Sequence, residues 1–424
     1  YLPIFCSLNF TIIAIYVILP EIGGYFMSLN ISNRIKGMQA SPIRKLIPYA
    51  DEAKKRGIHV YHLNIGQPDI ETPRYIIEGM KNYKDKVLRY GPSNGLEALR
   101  VEISRYLGKK GIEMGEDNIF VTTAGSEAII FSLMTICDPG DEIIIPEPFY
   151  TNYNGFAQQA NVKIVPVTSK VENGFHLPDE EEIISKISKK TKGILICSPN
   201  NPTGTILTME EMQRLVNIAK KHNLYILSDE VYREFTFDNR KHVSIFDLEG
   251  VEELAIMMDS ISKRFSACGA RIGYIATKNE NILKGIMKLG QARLCPPTVE
   301  QIGAIEGFKH MDEFMGPMIE EYERRRNVVY DYIEKIEGAF TMKPEGAFYT
   351  VVRIPVDDAE KFTVFMLKDF NLNGKTTMVA PAEGFYASKG IGRNEIRIAY
   401  VLNERDLEDA MNVLEAGLRS YNNR

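Results

Sequence analysis

The stretch "NIFVTTAGSEAIIFSLMTICDPGDEIIIPEP", Asn118 to Pro148, decides the fold. A short apolar run, "NIFVTT", breaks at the small residues Ala124, Gly125 and Ser126. "SEAIIFSLMTIC" then reads as a helix, "DPGD" stops it, and "EIIIPEP" begins a second strand. Strand, turn, helix, strand is the repeating unit of a parallel sheet, because parallel neighbours need a long crossover and a helix is the compact one. The unit recurs toward the C-terminus. "TNYNGFAQQA" reads as a helix, "VKIVPV" as a strand, "LPDEEEIISKISKK" as a helix and "GILICSP" as a strand. "TMEEMQRLVNIAKKHN" follows as a helix behind a threonine cap. "LYILSDEVY", "LAIMMDS" and "RIGYIAT" complete the series as strands. The expected fold class is α/β, with about seven mostly parallel strands between Asn118 and Thr277, sandwiched by helices.

Further along, "HMDEFMGPMIEEYERRRNVVYDYIEKIEG" reads as one long helix with Pro317 near its start. The last hundred residues mix strands ("GAFYTVVRI", "EIRIAYVL") with helices, which predicts a second, smaller α+β domain. The expected division is 1–26 as an extension outside the folded part, 27–75 as an N-terminal arm with part of the small domain, 76–312 as the large domain and 313–424 as the small C-terminal domain. Residues 1–20 carry no charge and are long enough to be a membrane-span candidate. From Met27 onward the chain reads as an ordinary soluble start. An extension from upstream sequence is therefore expected there, ahead of a membrane anchor or a cytosolic arm.

Composition narrows the classes. The chain has 424 residues, 44% hydrophobic and 25% charged, the balance of a globular protein. A net charge of −5 gives no basic excess for nucleic acid. Five scattered cysteines without a CxxC pair suggest neither a zinc site nor a disulfide scaffold, so no metal is expected and a reducing, cytoplasmic setting fits.

Ligands of open α/β sheets bind at the carboxyl ends of the strands. Gly125 and Ser126 open a helix after the first strand, and bare N–H groups there form an anion site. Tyr150 follows the second strand, Asn201 follows "GILICSP", Asp229 and Tyr232 sit in "LYILSDEVY", and Lys263 follows "LAIMMDS". A lysine there needs a partner or a reaction, because a buried ammonium is costly. Together these groups suit a flat, phosphorylated aromatic aldehyde with a ring nitrogen. Asp229 would pair with that nitrogen, Asn201 and Tyr232 would hold a ring hydroxyl, and Tyr150 would stack on the ring. The phosphate would lie on the 125–126 amides, Ser260 and Arg271, and Lys263 would form a Schiff base with the aldehyde.

Five segments in order carry a resemblance to a known family: "LNIGQPDIETP", "RYGPSNGLEALR", "NNPTG", "SDEVYREF" and "SISKRFSACGARIG", with "NEIRIAY" near the end. The chain resembles the class I/II aminotransferases of pyridoxal-phosphate fold type I, aspartate-aminotransferase-like, from about Ser41 to the C-terminus. The resemblance implies pyridoxal 5'-phosphate as cofactor. It also implies transfer of an amino group from an L-amino acid, aspartate-like or of broad specificity, to a 2-oxo acid such as 2-oxoglutarate. A β-elimination lyase on the same scaffold or a non-catalytic pyridoxal-phosphate-binding sensor are the alternatives. Lys263, Asp229 and Tyr232 would be the catalytic residues, and Arg397 and Gly66, with Asn201, would bind the substrate α-carboxylate. Tyr90 would reach the cofactor phosphate of a neighbouring subunit, making a homodimer with shared active sites. Arg293 or Arg44 would take a distal carboxylate. Arg264, beside Lys263, has no role on this reading.

Overall fold

The computed structural model describes residues 29–424, so expectations for residues 1–26 lie outside the described residues. Leu29 to Gly37 contain one short helix, Asn33–Lys36, capped by Ser32. Met38 to Arg424 form a compact unit of their own.

That unit holds three sheets. Its twelve strands are β1 (His59–His62), β2 (Ile119–Thr122), β3 (Glu142–Glu147), β4 (Lys163–Thr168), β5 (Thr191–Cys197), β6 (Tyr225–Asp229), β7 (Ala255–Ser260), β8 (Gly273–Ala276), β9 (Tyr349–Arg353), β10 (Lys375–Met378), β11 (Ala380–Pro381) and β12 (Glu395–Ala399). The main sheet has the order β2-β8-β7-β6-β5-β3-β4. All its pairs are parallel except the two that β8 makes, with β2 and with β7. The seven expected strands are thus the seven observed. β9, β11 and β12 form an antiparallel sheet, and β1 pairs in parallel with β10.

Period-two alternation distributes the side chains of the main sheet between two cores. Ile226 and Met257 join one apolar cluster, and Leu227 and Met258 join the other. Continuing the count, Asp229 falls on the face of Leu227, Asp259 on the face of Met257, and Ser260 on the opposite face. The ends of β6 and β7 therefore send one carboxylate to each side.

Three elements differ from expectation. The helix expected over 177–190 covers only Glu180–Ser185. It stops where Ser188 turns its hydroxyl to Glu142 (2.6 Å) and its N–H to Thr191 Oγ1 (2.9 Å). The strand read in "LYILSDEVY" ends at Asp229, whose own carboxylate accepts the Val231 N–H at 3.3 Å and starts a turn. The long helix begins only at Met315, after a tight turn at Met311–Glu313, with Pro317 in its first turn where no N–H partner is required. The helices Arg74–Lys81, Glu97–Lys109, Glu280–Arg293 and Thr298–Lys309 were not foreseen.

The structure also gives Arg264 its role. It is fully buried, and its Nη2 donates to Asp259 Oδ2 at 2.6 Å. The Tyr274 hydroxyl donates to the same oxygen at 2.7 Å, and the guanidinium lies over the Tyr106 ring, 4.6 Å from its centroid. Burial lowers the Arg264 pKa, but the Asp259 carboxylate together with Tyr106, Tyr274 and Glu234 outweighs it and the net shift is upward. Removing one partner would strand the other charge in the core. Arg264→Leu is expected to cost about 3–5 kcal/mol in urea unfolding, with part of the loss recovered in the Asp259→Asn/Arg264→Leu double variant.

Candidate active site

A cavity of about 600 Å³ opens at the carboxyl ends of the parallel strands. Gly66, Gly125, Ser126, Tyr150, Asn201 and Asp229 line it, and so do Tyr232, Ser260, Lys263, Arg271 and Arg397. Arg293 does not, and neither does Tyr90, which is expected at a neighbouring subunit's cavity and not at this one. Tyr90 is 80% exposed elsewhere on the surface. Arg293 spends its guanidinium on Glu127 Oε2 (2.9 Å) and the Ser93 carbonyl (2.9 Å). An arginine held this way is a structural link between the helices Glu280–Arg293 and Ala124–Ile136, which corrects the expectation that it binds substrate. Arg44, the other candidate, does line the cavity.

Lys263 sits on the short helix Ile261–Arg264, one turn past β7. Its Nζ donates to the Gly66 carbonyl at 2.8 Å and lies 3.8 Å from Cys268 Sγ. The same carbonyl accepts from the Tyr349 hydroxyl (3.3 Å), which lies 3.0 Å from the Tyr232 hydroxyl. Burial raises Tyr232 well above the usual phenol range, so it is a neutral donor. Gly66 is required here by space: a Cβ would fall 1.7 Å from Tyr349 Oη.

Asp229 closes β6 on the face that its alternation dictates. Its Oδ2 accepts from the Tyr153 hydroxyl at 2.7 Å, in the core cluster of Leu227. Burial without a cation pushes its pKa up to about 6, and the hydrogen bonds from Tyr153 and Val231 only partly oppose this. Its neighbour Glu230 shows what a cation does at equal burial. Burial raises Glu230 too, but Arg233 (2.5 Å) and His242 (2.9 Å) bring it down to about 2.

Arg397 presents the opposite problem. It is 2% exposed on β12, and burial lowers its pKa. Its guanidinium is sandwiched between the Tyr349 and Phe385 rings, 4.7 and 4.8 Å from their centroids. Nη1 donates to Asn201 Oδ1 (3.1 Å) and Nη2 to the Asn64 carbonyl (2.6 Å), while Nε and the Asn64 amide nitrogen have no partner. Among the described residues no carboxylate pairs with it. A buried cation held by neutral groups alone is a receptor for an anion.

The third corner is an anion cradle. The helix Ala124–Ile136 starts without a side-chain cap, beside Ser260 and Arg271. Ala124 and Arg271 both adopt left-handed φ, 64° and 58°, a strained choice for residues with a side chain. Gly273 lies between them: a Cβ there would meet Ala124 C at 2.5 Å and Gly125 N at 2.7 Å. This close packing holds the arginine next to the helix start.

Tyr153, Tyr349 and Asn64 are functional neighbours that sequence reasoning missed. Tyr153 stands three residues after Tyr150, at the spacing that puts both on one side of the helix entry, and that spacing was the available signal. Tyr349 lay unread inside "GAFYTVVRI".

The chain is similar to known proteins over nearly its whole length. The family described as aminotransferase class I and II matches residues 58–414. An aspartate aminotransferase of Pyrococcus abyssi is 33% identical over 92% of this chain and 99% of its own. An aromatic-amino-acid aminotransferase of Thermococcus litoralis is 32% identical over the same shares. The solved structure of an alanine aminotransferase from Pyrococcus furiosus superposes with a TM-score of 0.85 at 30% identity, covering 92% of this chain and 100% of that one.

Because the folded pKa of Asp229 exceeds that of an unfolded aspartate, the native state keeps a proton that the unfolded chain has released. Stability of the ligand-free protein is then full below pH 4 and falls as pH rises toward 6, by roughly 2–3 kcal/mol for this group. Asp229→Asn removes that fall. Urea midpoints of the ligand-free variant and parent, measured from pH 4 to 8, should diverge in favour of the variant over this window.

Proposed function

We propose, for a chain that belongs to the class I and II aminotransferase family and uses pyridoxal 5'-phosphate, that Lys263 holds the cofactor covalently and moves the substrate's α-proton. The protein is a transaminase: it transfers an amino group from an amino acid to a 2-oxo acid. The relatives named above are aminotransferases, which disfavours the β-elimination lyase and the non-catalytic sensor.

The residues present fit the cofactor. The observation that carries the reading is that two buried charges without a counter-charge, Asp229 and Arg397, line one cavity with the Lys263 amine. Asp229 takes a protonated ring nitrogen and regains the ionised form that burial discourages. Ser126, Ser260, Arg271 and the N–H groups at Gly125 and Ser126 take the phosphate. Tyr150 would cover one ring face, and Asn201 and Tyr232 would offer polar groups to the ring edge. When bound, the cofactor supplies an electron sink for the electron pair left as the α-proton departs.

Arg397 and Asn201 orient the substrate through its α-carboxylate, with the Gly66 backbone beside it. Lys263 Nζ, released from its bond to the Gly66 carbonyl, acts as the base and then returns the proton as the acid. Tyr349 and Phe385 shut water away from the carboxylate clamp.

We also assign a homodimer with shared sites. Its support is Tyr90 at 80% exposure, next to Val87 and Leu88 at 57% and 65%. Such a run of bare apolar side chains suits burial by a second copy. Residues 76–312 are assigned to a large domain, 27–75 to an N-terminal arm with part of the small domain, and 313–424 to the small domain. The β1–β10 pairing and the packing of Ala50 and Ala53 on Leu367 support joining the early residues to the late ones. Among the described residues no helix is long and apolar enough to cross a membrane. Cys137, Cys197, Cys268 and Cys295 are all free thiols, which fits a cytoplasmic setting.

Conversion of the cofactor's absorbance band to its amine form by single amino acids tests the half-reaction directly. Lys263→Ala is expected to slow it by at least 10³-fold, and turnover at the parent rate would sink the assignment. Arg397→Lys should lower kcat/KM about 10- to 100-fold, since an ammonium cannot reproduce the two-pronged grip. Co-expressed Lys263→Ala and Tyr90→Phe chains should recover activity that neither homodimer has; no recovery would place Tyr90 outside a shared site.

A further inference from the structure

Glu345 lies outside the cavity yet ties together two segments that line it. The loop that carries Asn201 is closed on itself: the Asn200 N–H donates to the Thr205 carbonyl at 2.8 Å, and the Gly204 N–H to the Asn200 carbonyl at 2.9 Å. The Gly204 carbonyl in turn accepts from the N–H groups of Glu345 (3.0 Å) and Gly346 (2.8 Å), just ahead of β9. Gly204 has a φ of 76°, and a Cβ there would fall 2.6 Å from the Tyr349 carbonyl oxygen. Backbone lies against backbone along this seam, and the Glu345 side chain reaches across it to accept the Ile206 N–H at 3.1 Å. What the seam aligns is Asn201 with Tyr349, and both contact Arg397. Asn201 Oδ1 accepts from Nη1 at 3.1 Å, and the Tyr349 ring centroid lies 4.7 Å from the guanidinium.

The Glu345 carboxylate is held from outside the seam. Its Oε1 takes Arg240 Nη2 at 2.9 Å, and its Oε2 lies 3.9 Å from His176 Nε2. The other ring nitrogen of His176, Nδ1, is 3.0 Å from Glu211 Oε2. Glu211 is itself fixed by the capping box of the helix Met209–His222 and by the Leu177 N–H at 2.8 Å. The imidazole thus stands between two carboxylates, and a neutral ring has only one N–H to give them. The Glu211 hydrogen bond raises the His176 pKa against the opposing effect of burial; Glu345 adds to the rise and Arg240 works against it. A pKa raised by folding keeps the ring cationic below the unfolded value, and the charge is lost as pH climbs through the folded one.

We infer that Glu345 and His176 are positioning residues for the amino-group transfer: Glu345 clasps the Asn201 loop to the strand of Tyr349, and the His176 cation tightens the clasp. The inference rests on the transaminase reading and adds to it a pH dependence that arises outside the cavity. Neither residue lines the cavity. They act on a bound α-carboxylate through the two neighbours of Arg397. The effect therefore falls on donor binding more than on the proton transfer at Lys263, and on all donors alike.

Single half-reactions of the purified holoenzyme test it, from pH 6 to pH 9, with aspartate, alanine and phenylalanine as donors. His176→Gln should raise the half-saturation constant about 2- to 5-fold at pH 6, match the parent near pH 9, and leave the limiting rate unchanged. Glu345→Gln keeps an acceptor for Ile206 but loses the charge. It should raise the constant at every pH, and His176→Gln added to it should change nothing further. In the cofactor-free protein, Glu345→Ala should speed hydrogen exchange of the Ile206 amide about 10-fold. A parent-to-His176→Gln ratio that is the same at pH 6 and pH 9 would overturn the assignment. So would additive losses in the double variant, a loss carried by the limiting rate alone, or unchanged exchange at Ile206. If Glu345→Gln does not fold, the His176→Gln profile decides alone, since that side chain is 29% exposed. A parent that no donor converts would defeat the transaminase reading itself, whereas a parent that turns over with a flat ratio defeats only the clasp.

Discussion

The Asp259–Arg264 ion pair fixes the point from which the site is built. Two charges shut away from water cost several kcal/mol each to desolvate, and their attraction repays this only in a tight geometry. The geometry here leaves little slack: one oxygen of Asp259 serves both Arg264 and Tyr274, and the other takes the Ser260 N–H at 2.6 Å. β7 cannot slide or twist at its end without breaking this arrangement. Lys263 lies between the two partners in sequence, so its starting position is set on both sides. The alternation that sends Asp259 to one core sends Ser260 to the other, toward the anion cradle.

Around that fixed point the protein places charges that are individually unfavourable. Asp229 and Arg397 are both buried, of opposite sign, and not paired with each other. A fold selected for stability alone would join them or replace them with apolar side chains. Here each is left with neutral neighbours that orient it without satisfying it: Tyr153 for Asp229, and Asn64, Asn201, Tyr349 and Phe385 for Arg397. The contrast with Glu230, equally buried but carrying its own arginine and histidine, shows that the fold can neutralise a carboxylate when no ligand is involved. Groups held ready in this way need little rearrangement when a ligand arrives.

Much of this was legible in the sequence because it depends on local pattern. Strand–helix alternation announced the seven-stranded sheet, and strand ends pointed to Gly125, Asn201, Asp229 and Lys263. What escaped depends on contacts between distant segments. Arg264 read as a cation without a role and Arg293 as a candidate for a distal carboxylate, and only packing showed that Asp259 and Glu127 pair with them. Tyr349 lies on β9, opposite Ala399 of β12, so its meeting with Gly66 and Arg397 is a product of sheet pairing and not of any spacing along the chain. Helix length was misjudged at 180–185 for the same reason: the stop signal is a hydrogen bond from Ser188 to a strand 46 residues away.

The unmet burial of Asp229 has a consequence for the protein's life in the cell. A cofactor that cancels this penalty acts as a missing part of the interior, and its binding is then a contribution to folding as well as to chemistry. Mass action adds about 2.7 kcal/mol when the free ligand stands at a hundred times its dissociation constant, a sizeable share of a typical domain's 5–15 kcal/mol. By that mass action, chains without the cofactor are expected to open more often. Cofactor supply would thus set how much of the chain is folded as well as how much is active.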